Sequence, residues 1–191
     1  MPFHPRNNQP ANIQTMAMPN PQADPYGFVR RLHAAEFHWF FVQGVSAINN
    51  GLIVPGASSI LNGIEASLRF TIAQLENTDQ SEAPSPYKVL SNNLLLAASD
   101  LGMPVQDLAF PSETDFKVKL ASKKPNRVDV EIVRQRNNIC HGNVFEYFNR
   151  DLGPDNLLFT PECLSDFADQ LIVVANRWSD SLGRFRDSKG F

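Results

Sequence analysis

The stretch "TPECLSDFADQLIVVANRWSDSL", residues 160–182, decides the fold class. Thr160 is suited to cap a helix, Pro161 to be its first residue and Glu162 to complement the dipole of its first turn. Leu164, Phe167, Leu171, Val174, Trp178 and Leu182 then recur at steps of three and four. That period places all six on one face of a long amphipathic helix. A stripe of this length needs apolar partners, and they lie upstream.

Working outward, Phe28, Leu32, Ala35, Trp39, Val42 and Val45 repeat the helical spacing. They predict one helix opened by Asp24–Pro25 and closed by Asn49, Asn50 and Gly51. A second helix is expected from Ala57 to Glu76, with Ile60, Ile64, Leu68, Ile72 and Leu75 on one face. The proline-rich "EAPSPY" (82–87) breaks the chain, and a third helix follows over about Lys88 to Leu101. Residues 102–126 carry proline, serine and an alternating "FKVKL", which reads as a loop with a short extended segment. A fourth helix is expected from near Asn126 through Val130 and Val133, either ending at His141 with Gly142 just past its end or running on through "NVFEYF" with a distortion at Gly142. Residues 1–25 are rich in proline, asparagine and glutamine and lack an apolar period, so they read as a flexible or surface-strapped tail. The prediction is all-α: about five helices in an up-and-down-like bundle, one domain over 26–187, and a short tail at 188–191.

The totals narrow the function classes. A chain of 191 residues, 42% hydrophobic, can build one sizeable core. Its 17 basic and 20 acidic residues give −3, which does not announce wholesale phosphate binding. Cys140 and Cys163 are the two cysteines and read as small buried apolar residues in a reducing compartment. No apolar run approaches the roughly 20 residues that span a bilayer, and the start of the chain lacks a signal-peptide layout. A cytoplasmic protein without a membrane partner is expected.

Most catalytic signatures are missing. There is no phosphate-cradling G-x-x-x-x-G-K, no G-x-G-x-x-G, and no carboxylate pair that stands out for glycosidase-like chemistry. "HAAEFH" (33–38) sets two histidines five residues apart, roughly 140° around an ideal helix, which is poor spacing for a shared metal. Cys140 and His141 are neighbours and diverge by about 100°, so they do not form a dyad with each other. No metal or other cofactor is expected.

One asymmetry stands out. Lys117, Lys119, Lys123, Lys124, Arg127, Arg134 and Arg136 fall within 20 residues, opposed locally by Asp129 and Glu131. Such a run is either a solvated surface or a phosphate-attracting rim. It leads into "RQRNNICHGN", residues 134–143. Arg136 offers a planar donor fork for phosphate oxygens and for charge developing on a pentacoordinate phosphorus. His141 can take or give a proton near neutral pH. Where the substrate is RNA its own 2′-OH can be the nucleophile, so the chemistry requires no metal. Arginine followed directly by asparagine, with histidine at this fixed gap, arises by chance roughly 0.02 times in a chain of this composition.

"IVRQRNNICHGN" resembles the signature of the HEPN superfamily: an arginine, a polar neighbour, and a histidine after four to six intervening residues. "SSILNGIEASLRF" (58–70) resembles that family's earlier helix, with Glu65 as its acidic residue. The resemblance implies an all-α homodimer whose motif helices face each other across a two-fold axis. It implies a metal-independent endoribonuclease of toxin or defence type, cutting RNA through 2′-OH attack. Arg136 and His141 would be catalytic, with Asn137 orienting the scissile region or the histidine. Arg134, Asn138, Lys123, Lys124 and Arg127 would contact substrate, and Glu65 would support the site. An antitoxin protein is a possible partner. Family members without activity act as dimerisation or nucleotide- and RNA-binding modules, which is the alternative.

Overall fold

The computed structural model describes residues 23–76, 89–150, 153 and 157–191. Among them the architecture is all-α. Seven α-helices run in the order α1 (Gly27–Leu32), α2 (His38–Asn49), α3 (Ile53–Leu75), α4 (Asn92–Asp100), α5 (Phe116–Ala121), α6 (Glu131–Cys140) and α7 (Ser165–Lys189). Short 3-10 turns cover Val105–Leu108, Phe145–Tyr147 and Pro161–Leu164. The described residues contain no sheet, only one antiparallel bridge between Asn149 and Leu158.

α7 is the organising element, as its stripe predicts. Phe167, Leu171, Val174, Trp178 and Leu182 are all buried in one core with Ile60, Ile64 and Leu68 of α3. Trp178 is wholly enclosed, and its indole N–H donates to the Ser67 hydroxyl at 2.9 Å, so its one polar atom is satisfied inside the core. α1 lies against the far end of α7. There the Arg31 side chain donates to Ser179 at 2.8 Å and to Asn176 at 2.6 Å. The approach is close enough that a Cβ at Gly183 would collide with the Arg31 carbonyl.

The structure corrects several boundaries. The helix expected over 24–50 is two helices. His33 adopts a left-handed conformation (φ 47°) at the end of α1, and the chain resumes helically only at His38. The break shifts the phase of the stripe. Ala34, Phe37 and His38 are buried, while Ala35 and Trp39 face outward. α3 starts at Ile53, ahead of Ala57. α4 starts after Ser91, whose hydroxyl accepts from the Leu94 N–H; the expected start at Lys88 lies outside the described residues.

The extended segment expected within 102–126 is absent: "FKVKL" forms α5. Phe116 and Leu120, one turn apart, are buried, while Val118 between them is 75% exposed. Three apolar residues at alternate positions fit a strand, but the outer two also fit a helix face, and the core chose the helix. α6 begins at Glu131 rather than Asn126, and the helix anticipated from Thr160 opens with the 3-10 turn before α7. α7 continues to Lys189, so 188–189 are helix and not tail. Of the expected N-terminal tail only residues 23–25 are described; Ala23 packs on the core and its carbonyl accepts from Asn49 at 2.9 Å.

Candidate functional site

α6 carries the motif, and its two ends are held differently. At the N-terminal end, the Val130 N–H donates to Asn92 at 3.1 Å and the Glu131 N–H to Glu113 at 2.7 Å. These side chains accept from backbone N–H groups that an isolated helix start leaves unsatisfied. Glu113 is almost fully enclosed and also binds Lys119 at 3.2 Å. Ile132 and Val133 point into the core.

At the C-terminal end the backbone closes on itself. Gly142 is left-handed (φ 68°), its N–H donates to the Ile139 carbonyl, and the Asn143 N–H donates to the Asn138 carbonyl at 2.8 Å. This paired closure satisfies two of the orphan carbonyls and requires a residue tolerant of positive φ. The Asn143 amide also donates to the buried Asn138 side chain at 3.0 Å. Asn138 is thus buried and tied to Asn143, with its own Nδ2 lacking a partner among the described residues.

Arg136 turns toward α3. Its Nη2 lies 3.4 Å from Glu65 Oε2, and the two side chains are 14% and 13% exposed. Glu65 Oε2 also accepts the Leu90 N–H at 2.8 Å, which fixes the carboxylate. Its other oxygen is 3.6 Å from Arg69 Nη1. Arg136 Nη1 reaches the Asn137 side-chain oxygen at 3.5 Å. His141 is exposed at the end of the helix and has no side-chain hydrogen bond or ion pair among the described residues. No hydrogen bond joins Arg136 to His141 within one chain, in keeping with their angular separation on the helix.

The basic run is matched more fully than its sequence neighbours suggest. Arg134 donates to both Glu131 oxygens, at 2.9 and 2.6 Å, and also pairs with Glu146. Arg127 pairs with Asp129 at 3.6 Å and donates to Asn93 at 3.2 Å. Lys119 pairs with Glu113 and with Asp115 at 3.0 Å. Lys117, Lys123 and Lys124 are exposed and pair with no carboxylate among the described residues. The continuous rim is thus reduced to these lysines.

Burial pushes the Glu131 carboxyl up, but hydrogen bonds from Arg134 and Gln135 and the Arg134 charge outweigh it. Glu131 is held below the usual carboxylate range. The Tyr147 hydroxyl donates to Gln135, tying the segment after the motif back onto α6; burial raises its phenol. Glu113, Glu146, Tyr147 and Arg69 were not singled out from the sequence. Only Arg69 carried a local signal, standing four residues after Glu65 on one helix face.

Two other expectations change. Cys140 is exposed and Cys163 partly so, rather than buried; both thiols are free. His33 caps the end of α1 and His38 opens α2, so they share no helix; His38 is buried, with Nδ1 lacking a partner among the described residues. Burial lowers its basicity. Among the described residues no group of three or more His, Cys, Asp or Glu side chains is arranged to hold a metal ion, and no helix is long and apolar enough to cross a membrane.

No family model, curated protein or solved structure matches the chain.

Proposed function

We propose that the protein is a metal-independent endoribonuclease of the HEPN kind, acting on cytoplasmic RNA as a homodimer in a toxin or defence role. The observation that carries the reading is the Glu65–Arg136 pair at 3.4 Å, with His141 exposed and unclaimed five residues on. A carboxylate braces the arginine while the histidine stays free to exchange protons. These residue types suit phosphodiester transfer.

In the proposed reaction a histidine imidazole takes the proton of the ribose 2′-OH. The O2′–P bond forms, the P–O5′ bond breaks, and O5′ leaves with a proton donated by the histidinium of the second copy's motif. The products are a 2′,3′-cyclic phosphate and a 5′-hydroxyl end. Arg136 stabilises the charge on the non-bridging oxygens, and Asn137 orients the phosphate. Within one chain Arg136 faces inward and His141 outward. A two-fold partner bringing a second α6 end alongside would supply both groups to one cleft. Lys123, Lys124 and, after exchanging its carboxylate partners, Arg134 would guide the RNA strand. A protein antitoxin would act by covering that cleft.

His141→Ala is the direct test. It should abolish RNA cleavage while preserving helix content and dimer mass, and wild-type cleavage should persist in excess chelator. Equal cleavage by His141→Ala, or strict metal dependence, sinks the assignment.

The pairing of Arg127, Arg134 and Lys119 with carboxylates favours a second reading, a non-catalytic dimerisation or RNA-binding module. Its signature is a stable dimer that cuts no tested RNA.

A further inference from the structure

We infer that Arg69 is a second phosphate-binding guanidinium of this site, and that Glu65 holds Arg69 and Arg136 together as a pair for adjacent stretches of an RNA backbone. The inference rests on the ribonuclease reading and extends it to a residue outside the motif.

Glu65 and Arg69 lie one turn apart on α3, on the face that meets α6. The two oxygens of one carboxylate are divided between two arginines. Oε1 faces Arg69 Nη1 at 3.6 Å, and Oε2 faces Arg136 Nη2 at 3.4 Å. Among the described residues one negative charge therefore serves two positive ones, and a unit of positive charge is left over. The surplus sits where it counts, because the Arg69 and Arg136 side chains are only 29% and 14% exposed. Charges shielded from water interact more strongly than those in bulk solvent. Both arginines also have a buried Nε with no acceptor among the described residues.

Anchoring Arg136 alone would not call for a second cation. Glu65 already has the Leu90 N–H on one oxygen, and a neutral residue at 69 would avoid bringing two like charges together. An anion against the pair relieves that repulsion. A phosphodiester is the fitting class, since its paired oxygens match guanidinium forks. The other arginines of the run are matched within their own neighbourhood: Arg127 to Asp129, and Arg134 to Glu131 and Glu146. The surplus is thus local to Arg69, Glu65 and Arg136. With Arg136 at the reacting phosphate, Arg69 would hold a neighbouring one. It would act on binding more than on the chemical step.

The test compares the full-length wild type with Arg69→Gln, Arg69→Lys and, as a remote charge control, Arg30→Gln on α1. The probe is a short mixed-sequence 2′-O-methyl RNA, which keeps the phosphates but lacks the nucleophile. Its Kd is measured across a salt series, and kcat and KM are measured on unmodified RNA. Arg69→Gln should weaken binding several-fold, reduce the slope of log Kd against log salt by about 0.7, and raise KM with little change in kcat. Arg69→Lys should restore the slope but only part of the affinity, and Arg30→Gln should leave both unchanged. An unchanged slope in Arg69→Gln, or a loss of kcat that tracks lowered thermal stability, overturns the inference while leaving wild-type cleavage to support the ribonuclease. An Arg69-dependent slope in a wild type that cuts no RNA overturns the ribonuclease and keeps the phosphate site. A wild type that neither binds the probe nor cuts RNA overturns both.

Discussion

At its N-terminal end α6 meets the side chains of Asn92 and Glu113; at its C-terminal end Gly142 and Asn143 close the backbone and His141 is left facing solvent. The first end spends its polar side chains on the fold. Asn92 alone binds the Val130 N–H and the carbonyls of Lys119 and Val128. The second end closes through its backbone and leaves the His141 side chain unclaimed. Polar residues beside a core are therefore of two kinds here: those that a backbone group claims, such as Asn92 and Glu113, and those that none does, such as His141. Removing the claimed kind should cost stability. Removing the unclaimed kind should cost activity.

The largest effect expected is on the unclaimed side. His141→Ala should lower RNA cleavage by roughly 10²–10⁴-fold, the usual contribution of a positioned acid or base, with little change in thermal midpoint. A large drop in midpoint would erase the distinction. Next, Glu113→Ala should cost about 2–4 kcal/mol in urea unfolding. It strips the enclosed partner of Lys119 and of the Glu131 N–H while leaving cleavage per folded molecule intact. Asn92→Ala should cost about 1–3 kcal/mol by the same measurement, since three backbone groups lose one side chain. Gly142→Ala should cost about 1 kcal/mol, the strain of a Cβ at positive φ.

The smallest effect separates two histidines. Burial holds His38 less basic than an ordinary imidazole. The unfolded chain therefore takes up a proton near its usual pKa of about 6.5, where the folded protein does not. Stability should fall as pH drops through and below that value, down to the folded pKa. A His38→Gln protein should show a shallower decline in thermal midpoint between pH 7.5 and 5.5 (approximate working limits). An identical decline in both would show that His38 is not the group responsible.

The parts of this molecule visible in the sequence are those set by local period and caps. α7 and α3 could be placed because their apolar residues stay in phase over many turns, and Gly142 because a helix end needs positive φ there. The division of α1 from α2 was hidden: Ala35 and Trp39 prolong an apparent stripe that the left-handed His33 in fact interrupts. α5 was hidden because Phe116, Val118 and Leu120 are too few to separate two periods. At the candidate site, Arg136 and His141 were legible from type and spacing, and Glu65 through the family resemblance. The neutralisation of the basic run was not legible, because Glu113 and Glu146 come to it from outside the counted window. Tertiary charge pairing leaves no local trace.

The clasp between α1 and α7 has a consequence for the order in which the molecule can assemble. Arg31 and Ser179 are 148 residues apart in sequence, and Ser67 and Trp178 are 111 apart. Contacts so distant must await the synthesis of α7, which follows both α3 and α6 in the chain. Closing such long loops is slow relative to forming helices. A nascent chain would thus carry residues 136–141 before the core that seats α3 is complete, and the setting of α3 against α6 would depend on a helix that follows both in the chain.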